Sequence, residues 1–247
     1  AVSANNTGAN AIQLSDVNAV VLGTINTANN LTVNAVGITQ NAGGLAVGGV
    51  AAFNGGAGVI TLTTAGNDFS GAVSLNNSGV NNVAVTDANA IDLGASTVSG
   101  ALAVTATTGN ITDSGAITVT GNSTFTANAA GVSITLDNAN TFTGTVTFGG
   151  AGGLANVTVS DSTAFDLAAL TLTGNLSVTA GGANTDSGTL TIGGTTTLNA
   201  GAGNNLTLDQ ALSTFGALAL TGNNVNITEN AATDLGASTV SGTLGVT

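Results

Sequence analysis

A nine-residue phrase occurs twice in this chain without a single difference. Residues 92–100 read Asp-Leu-Gly-Ala-Ser-Thr-Val-Ser-Gly, and residues 234–242, which begin 142 positions later, read the same. A looser copy, Asp-Leu-Ala-Ala-Leu-Thr-Leu-Thr-Gly, occupies residues 166–174. A sequence that returns at a fixed long period builds a stack of similar units. The chain is therefore expected to be a repeat array.

Other landmarks keep the same period. An acidic residue recurs in steps of 71, 74 and 68 residues, at Asp16, Asp87, Asp161 and Glu229. A phenylalanine follows a similar step, at Phe69, Phe142 and Phe215. A third landmark reads Ile-Thr-Gln at 38–40, Ile-Thr-Asp at 111–113 and, more weakly, Asn-Thr-Asp at 184–186.

These landmarks divide the chain into repeats of one continuous segment, residues 1–247. Residues 1–11 match the end of a preceding repeat, three repeats follow, and a partial fourth closes the chain; the repeats are 12–82, 83–156, 157–224 and 225–247. Repeats of this kind bury a core only by stacking on their neighbours. We expect the segment to be a piece of a longer array.

Short alternating triplets predict the secondary structure. They read apolar, small or hydroxylic, apolar, as in Ile60-Thr-Leu62, Val83-Ala-Val85 and Leu176-Ser-Val178. Alternation with this period is the pattern of a strand that buries one face. Clusters of Gly and Asn, such as 41–44 and 149–153, separate the triplets and suit tight turns.

The pattern favours an all-β parallel β-helix, or β-solenoid, over a sandwich or a propeller. Inward residues are small and aromatic residues make up only 3% of the chain, which suits a narrow core shared between coils. A propeller must also close after a few blades. Coils of roughly 18–24 residues would place three or four coils in each repeat, and about 10–13 in the segment.

Composition excludes several classes of function. The chain has no Lys, Arg or His and carries 12 acidic residues, for a net charge of −12. It cannot neutralise nucleic-acid phosphates or anionic lipid head groups, so neither nucleic-acid binding nor membrane insertion is expected. Cysteine is absent, which removes disulfides and thiol chemistry. With 43% hydrophobic residues and no Pro, the chain can bury a core.

The recurring phrases Asn-x-Phe-x-Gly-x-Val-x-Leu, Asp-Leu-Gly and Leu-x-Val-Thr resemble the repeat regions of giant bacterial surface proteins. They are most similar to filamentous-haemagglutinin-like adhesins and related β-strand-repeat proteins. The resemblance covers essentially the whole chain. It implies a right-handed parallel β-helix that projects from the cell surface into the extracellular space. In that class the recognition domains are often separate from the repeats, so the resemblance implies that host or surface glycans can be bound through regions outside this segment.

The repeated acids are the candidate site residues. They form three pairs: Asp87 with Asp92, Asp161 with Asp166, and Glu229 with Asp234. Paired carboxylates can hydrolyse glycosidic bonds, and acids on adjacent coils could converge on calcium. Because the pairs recur with the repeat, whereas an active site is built once, we favour turn-forming acids exposed to solvent. No catalytic residue and no cofactor are expected, with calcium at these six acids as the alternative.

Hydroxyl-rich elements suggest a second kind of site. Thr-x-Thr pairs could form a flat ice-binding face, but they occur at uneven steps, at 61/63, 118/120, 141/143, 145/147 and 171/173. Strand propensity explains them more simply. Asn-x-Ser/Thr triplets, such as Asn175-Leu-Ser177, are potential glycosylation acceptors, although Asn before a strand is also ordinary turn chemistry.

The resulting prediction is a structural shaft in a secreted or cell-surface bacterial fibre, without catalysis, because every feature repeats and none is unique. Two alternatives stay open: a carbohydrate- or ice-binding module on a Thr/Asn-rich face, and a polysaccharide-active enzyme. The shaft is expected to associate with itself end to end or laterally. Since trypsin cuts after Lys or Arg, which are absent, it should leave the chain intact.

Overall fold

The computed structural model describes residues 1–247 and contains thirty β-strands and no helix. All the strand pairs are parallel, and the strands form two sheets of 15 strands each. The chain winds through about 12 stacked coils, which confirms the predicted β-solenoid. None of its elements is an apolar helix of the length needed to cross a membrane.

The strands of each sheet follow one another at coil spacing. Sheet A contains β1 (Val2–Asn6), β3 (Val20–Thr27), β5 (Ile38–Gln40), β6 (Leu45–Val47), β8 (Ile60–Leu62), β9 (Asp68–Phe69), β11 (Val83–Asp87), β14 (Leu102–Ala106), β17 (Ser123–Ala127), β19 (Val146–Gly149), β21 (Phe165–Leu167), β24 (Asn184–Asp186), β26 (Leu206–Leu208), β28 (Val225–Ile227) and β30 (Leu244–Val246). Sheet B contains β2 (Ile12–Ser15), β4 (Leu31–Asn34), β7 (Ala51–Asn54), β10 (Val73–Asn76), β12 (Ile91–Leu93), β13 (Ser96–Val98), β15 (Ile111–Asp113), β16 (Ile117–Val119), β18 (Val132–Phe142), β20 (Leu154–Asp161), β22 (Leu170–Leu172), β23 (Leu176–Ala180), β25 (Leu190–Asn199), β27 (Thr214–Gly222) and β29 (Thr239–Val240).

Equivalent side chains of neighbouring coils stack directly on one another inside the rod. Val85 pairs with Val104, which pairs with Phe125, which pairs with Phe148, and all four side chains are buried. The rings of Phe125 and Phe148 stack with centroids 5.9 Å apart. Such ladders build one continuous core of 54 buried residues. Removal of this apolar surface from water is the main force that holds the coils together.

The long sequence repeat is not a whole number of coils. Along sheet B, seven coil steps lead from β2, which begins at Ile12, to β20, in which Val157 is the equivalent position two repeats later. Along sheet A, seven steps lead from β11 to β28, again two repeats apart. One repeat therefore advances the chain by three and a half coils, and equivalent strands of successive repeats, β2, β11, β20 and β28, alternate between the sheets.

Three strands extend well beyond the triplets that the sequence predicts. β18 covers 11 residues and pairs with both β15 and β16, while β25 and β27 cover 10 and 9 residues. In β18 the register with β20 shifts between Leu136 and Asn140, so the strand turns a corner of the coil through an irregularity. The alternating pattern is lost at such a corner, which is why the sequence shows only the triplets.

Candidate functional site

The repeated acids Asp87 and Asp161 are the last residues of β11 and β20, and both are buried, 0% and 2% exposed. The Oδ2 atom of Asp87 accepts the backbone N–H of Phe69 at 2.9 Å, and its Oδ1 atom accepts the N–H of Asn89 at 2.7 Å. The bond to Asn89 is the predicted turn-forming contact. The bond to Phe69 reaches back one coil, and it requires the carboxylate to point inward instead of into solvent.

Asp161 and Glu229 make the same contact with the preceding coil. Asp161 Oδ2 accepts the N–H of Phe142 at 2.8 Å, and Glu229 Oε1 accepts the N–H of Phe215 at 2.9 Å. Each carboxylate takes the place of a backbone carbonyl as the acceptor for the preceding coil. The two landmarks that recur in the sequence, the acid and the phenylalanine, are thus the two ends of one hydrogen bond. The phenylalanine precedes Asp87 by 18 residues, Asp161 by 19 and Glu229 by 14, and this recurring order was the signal that could have revealed the bond.

A second polar residue, two positions before each phenylalanine, works in the same way. Asn67 Oδ1 accepts the N–H of Leu45 at 3.0 Å, and Asn140 Oδ1 accepts the N–H of Ile117 at 2.8 Å. In the third repeat, Ser213 Oγ accepts the N–H of Leu190 at 3.0 Å. All three side chains are completely buried. The sequence pattern alone does not single out these residues, although the Asn-x-Phe phrase contains two of them.

The third landmark supplies a partner to this buried residue in two repeats. Gln40 Nε2 donates to Asn67 Oδ1 at 2.6 Å, and Asn140 Nδ2 donates to Asp113 Oδ2 at 2.8 Å. The equivalent residues of the third repeat, Asp186 and Ser213, form no such bond. The short serine side chain bonds only to the backbone, and Asp186 Oδ2 is left buried without a partner.

The third repeat carries a further unpaired group beside it. Asn184 is fully buried, and neither its amide oxygen nor its amide nitrogen has a hydrogen-bond partner. It occupies the place of the apolar Ile38 and Ile111 in the other repeats. Asn184 and Asp186 both point inward from β24, and burial raises the pKa of the Asp186 carboxyl. Burial also raises the pKa of Asp87, against its two backbone hydrogen bonds.

The outer members of the predicted acid pairs point away from the core. Asp92 lies at the outward position of β12, where Thr112 Oγ1 donates to it at 3.4 Å. Asp166 accepts bonds from Thr185 Oγ1 at 2.9 Å and Ser187 Oγ at 2.5 Å, and Asp234 is exposed. The structure therefore does not direct the inward and outward acids of a pair into one cleft. It brings no three Asp, Glu, His or Cys residues together in a group that could hold a metal ion.

The identical nine-residue phrases also have an internal role. Ser96 Oγ donates to the carbonyl of Gly94 at 2.8 Å and accepts the N–H of Leu75 at 3.0 Å. Ser238, its counterpart, donates to Gly236 at 3.1 Å and accepts the N–H of Leu220 at 3.1 Å. The phrase ends in glycine because a β-carbon at Gly100 would collide with the carbonyl of the preceding coil.

The Thr-x-Thr pairs do not share one face. Thr61 and Thr147 lie on sheet A, whereas Thr118, Thr141 and Thr171 lie on sheet B. Only Thr118 and Thr141 are direct neighbours, on β16 and β18. A flat lattice of these pairs is therefore absent, which agrees with their uneven steps in the sequence.

Comparison with known proteins finds the same periodicity. A family described as repeats of unknown function (DUF5649) matches the chain three times, at residues 9–76, 80–149 and 154–221. No curated protein and no solved structure matches the chain.

Proposed function

This chain belongs to the family of repeats of unknown function DUF5649, and we propose that it is a structural shaft, a rod segment whose length is its function. The proposal extends to a secreted or cell-surface bacterial fibre of the filamentous-haemagglutinin-like kind, whose tip and its recognition domain are separate from this segment. It includes no catalytic role and no required cofactor.

The observation that carries the proposal is the use of the repeated polar residues. Asp87, Asp161 and Glu229 accept backbone N–H groups of the preceding coil, and so do Asn67 and Asn140. An enzyme or a receptor keeps its characteristic groups free for a ligand. Here the groups that define the repeat are engaged in joining coil to coil, as expected for a scaffold.

Composition supports a place outside the cell. A chain without Lys or Arg offers no cleavage site to trypsin-like proteases, and its net charge of −12 keeps rods soluble and apart. Fibres could nevertheless grow end to end, since the outermost strands of a solenoid carry unpaired backbone groups. Lateral contact would require the charge to be screened or bridged by a cation such as calcium.

Insertion of a second copy of residues 83–224, two whole repeats, tests the shaft role. Seven added coils at about 4.8 Å each should lengthen the rod by about 34 Å at constant cross-section. Small-angle X-ray scattering measures both the maximum dimension and the cross-sectional radius. A thicker particle of unchanged length would contradict the proposal, because it would show that added repeats do not extend a rod.

Immunogold labelling of intact cells tests the surface location. Antibody raised against this segment should label filaments outside the cells without permeabilisation. Labelling that appears only after permeabilisation would contradict the proposed surface location, but it would not bear on the rod-shaped shaft.

A further inference from the structure

A shallow groove of about 480 Å³ lies on the outer face of sheet B and crosses four successive coils, β18, β20, β23 and β25. Eight of its ten lining residues are hydroxyl or amide side chains, and none is charged. The eight are Ser133, Thr135, Asn156, Thr158, Asn175, Ser177, Thr195 and Thr197.

The floor of the groove is a straight row of hydroxyl groups. Thr135 pairs with Thr158, Thr158 with Ser177, and Ser177 with Thr197, so the row runs parallel to the rod axis with one hydroxyl per coil. Neighbouring hydroxyls are therefore about 4.8 Å apart. No side chain or backbone group of the protein bonds to any of the four, whereas the neighbouring Thr112 donates to Asp92.

A second row flanks the first. In it Asn156 Nδ2 donates to Ser133 Oγ, and the side-chain oxygens of Asn156 and Asn175 accept backbone N–H groups of the next coil. These bonds fix the asparagine side chains in place. Both rows end at the same coil, where Ala217 pairs with Thr195 and Ala219 with Thr197. In the other direction the hydroxyl row continues to Thr112, which pairs with Thr135 and is bonded to Asp92, so the run of free hydroxyls stops there.

The chemistry of the groove selects the class of ligand. Each free hydroxyl can both donate and accept a hydrogen bond, as the hydroxyls of a sugar can. The chain has no Lys, Arg or His side chain that could attract an anionic ligand, and all seven phenylalanines are buried, so no aromatic ring faces the groove. A peptide could not add as a strand, since the backbone here is paired with coils on both sides.

We propose that this groove binds a neutral polysaccharide chain lying parallel to the rod axis. The free hydroxyls of Thr135, Thr158, Ser177 and Thr197 bond to successive sugar hydroxyls, and Asn175 Nδ2 contributes from the flanking row. Because aromatic stacking is absent, affinity per site is low, with a dissociation constant on the order of 1 mM. The site is separate from the proposed shaft role, and a rod without it would still be a shaft.

Titration of the full chain with neutral hexasaccharides, followed by NMR chemical shifts, tests the proposal. The probes are cellohexaose, maltohexaose and mannohexaose, with hexagalacturonate as the anionic comparison. At least one neutral probe should give saturable shifts confined to β18, β20, β23 and β25. Removal of two hydroxyls in Thr158→Val/Ser177→Ala should weaken that binding by about fivefold or more.

A matched control variant removes two exposed hydroxyls from sheet A, Thr124→Val/Thr147→Val, and should bind as the wild type does. Unchanged thermal unfolding of both variants shows that the fold is intact. Absence of binding by all three neutral probes at about 10 mM would overturn the proposal. So would binding of hexagalacturonate alone, or binding that the Thr158→Val/Ser177→Ala variant retains in full.

Discussion

The Asp161 carboxylate accepts the backbone N–H of Phe142 at 2.8 Å, across the boundary between two coils and 19 residues back along the chain. Its other oxygen accepts the N–H and the hydroxyl of Thr163, both at 2.6 Å. One side chain therefore fixes both the turn that follows it and the coil that precedes it. The same arrangement recurs around Asp87, and in part around Glu229.

Removal of this carboxylate should destabilise the rod. In Asp161→Ala the N–H of Phe142 is left buried without an acceptor, which costs about 1–3 kcal/mol. Urea unfolding should show the corresponding shift of the midpoint. The control is Asp137→Ala, whose exposed side chain makes no hydrogen bond and whose removal should change little. Equal effects of the two substitutions would refute the capping role of Asp161.

The two copies of the nine-residue phrase should respond differently to the same substitution. Ser96 and Ser238 make equivalent hydrogen bonds, but Ser96 is 5% exposed whereas Ser238 is only partly buried. Loss of a buried hydrogen bond leaves its partners unsolvated, while water can replace the bond at a more exposed site. Ser96→Ala should therefore lower stability by about 1–2 kcal/mol, and Ser238→Ala by clearly less. Thermal unfolding of the two single variants provides the comparison.

Replacement of Asn184 by isoleucine, the residue that the other repeats carry at this position, should stabilise the folded chain. It lies between Phe165 and Leu206 in an inward row, and its amide is buried without partners. Asn184→Ile removes the desolvation cost of that amide and should stabilise the chain by about 1–3 kcal/mol. The reverse change, Ile111→Asn, should destabilise by at least as much. A loss of stability in Asn184→Ile, measured by urea unfolding, would show that the amide has a partner in solution.

Stability should depend on pH through Asp186. Burial raises the pKa of its carboxyl in the folded chain, with the nearby charge of Asp209 acting in the same direction. Stability from this group is fully present below the ordinary pKa of 3.8 and is lost as pH rises through the higher folded pKa. Asp186→Asn should raise the melting temperature at pH 7 and flatten this decline. If the variant melts below the wild type at pH 7, Asp186 contributes favourable bonds as an anion.

Alternation of the repeats between the sheets can be measured with spin labels. The chain has no cysteine, so pairs can be introduced at Ala84 with Thr158, one repeat apart, and at Ala84 with Asn226, two repeats apart. Seven coils separate the second pair by about 34 Å along one side. The first pair should lie farther apart than the roughly 17 Å of axial rise, because the labels are on opposite sides. Electron–electron double resonance would show a distance near the axial rise if the repeat were a whole number of coils.

The sequence predicted the architecture because strand alternation and the long repeat are both local patterns. Triplets such as Val83-Ala-Val85 form strands, and the number of coils falls within the expected range. The role of Asp87 was harder to predict, since it depends on a contact with Phe69 across coils, and an acid at a turn is usually solvated. The half-coil offset between successive repeats was also hidden in the sequence. Predicting it requires knowledge of the length of each coil to within about two residues.

Asp186 and Asn184 show where prediction from a repeat fails for another reason. Residues 184–186 are a weak copy of 38–40 and 111–113, and in a fold of stacked coils an equivalent position implies an equivalent environment. The environment is indeed the same, but the residues no longer suit it. Ser213 is too short to bond to Asp186 as Asn140 bonds to Asp113, and this mismatch becomes visible only when both ends of the contact are in place.

The three-and-a-half-coil repeat gives a tandem array of such units an approximate twofold screw axis. Any residue that one repeat presents on its left, the next presents on its right, and two rows of identical positions run along opposite edges of the rod. A single rod could then engage partners on both flanks at once, in the geometry of a ribbon or a flat lattice. Gain or loss of one repeat would exchange the flanks of everything beyond it, while a change by two would leave them in place.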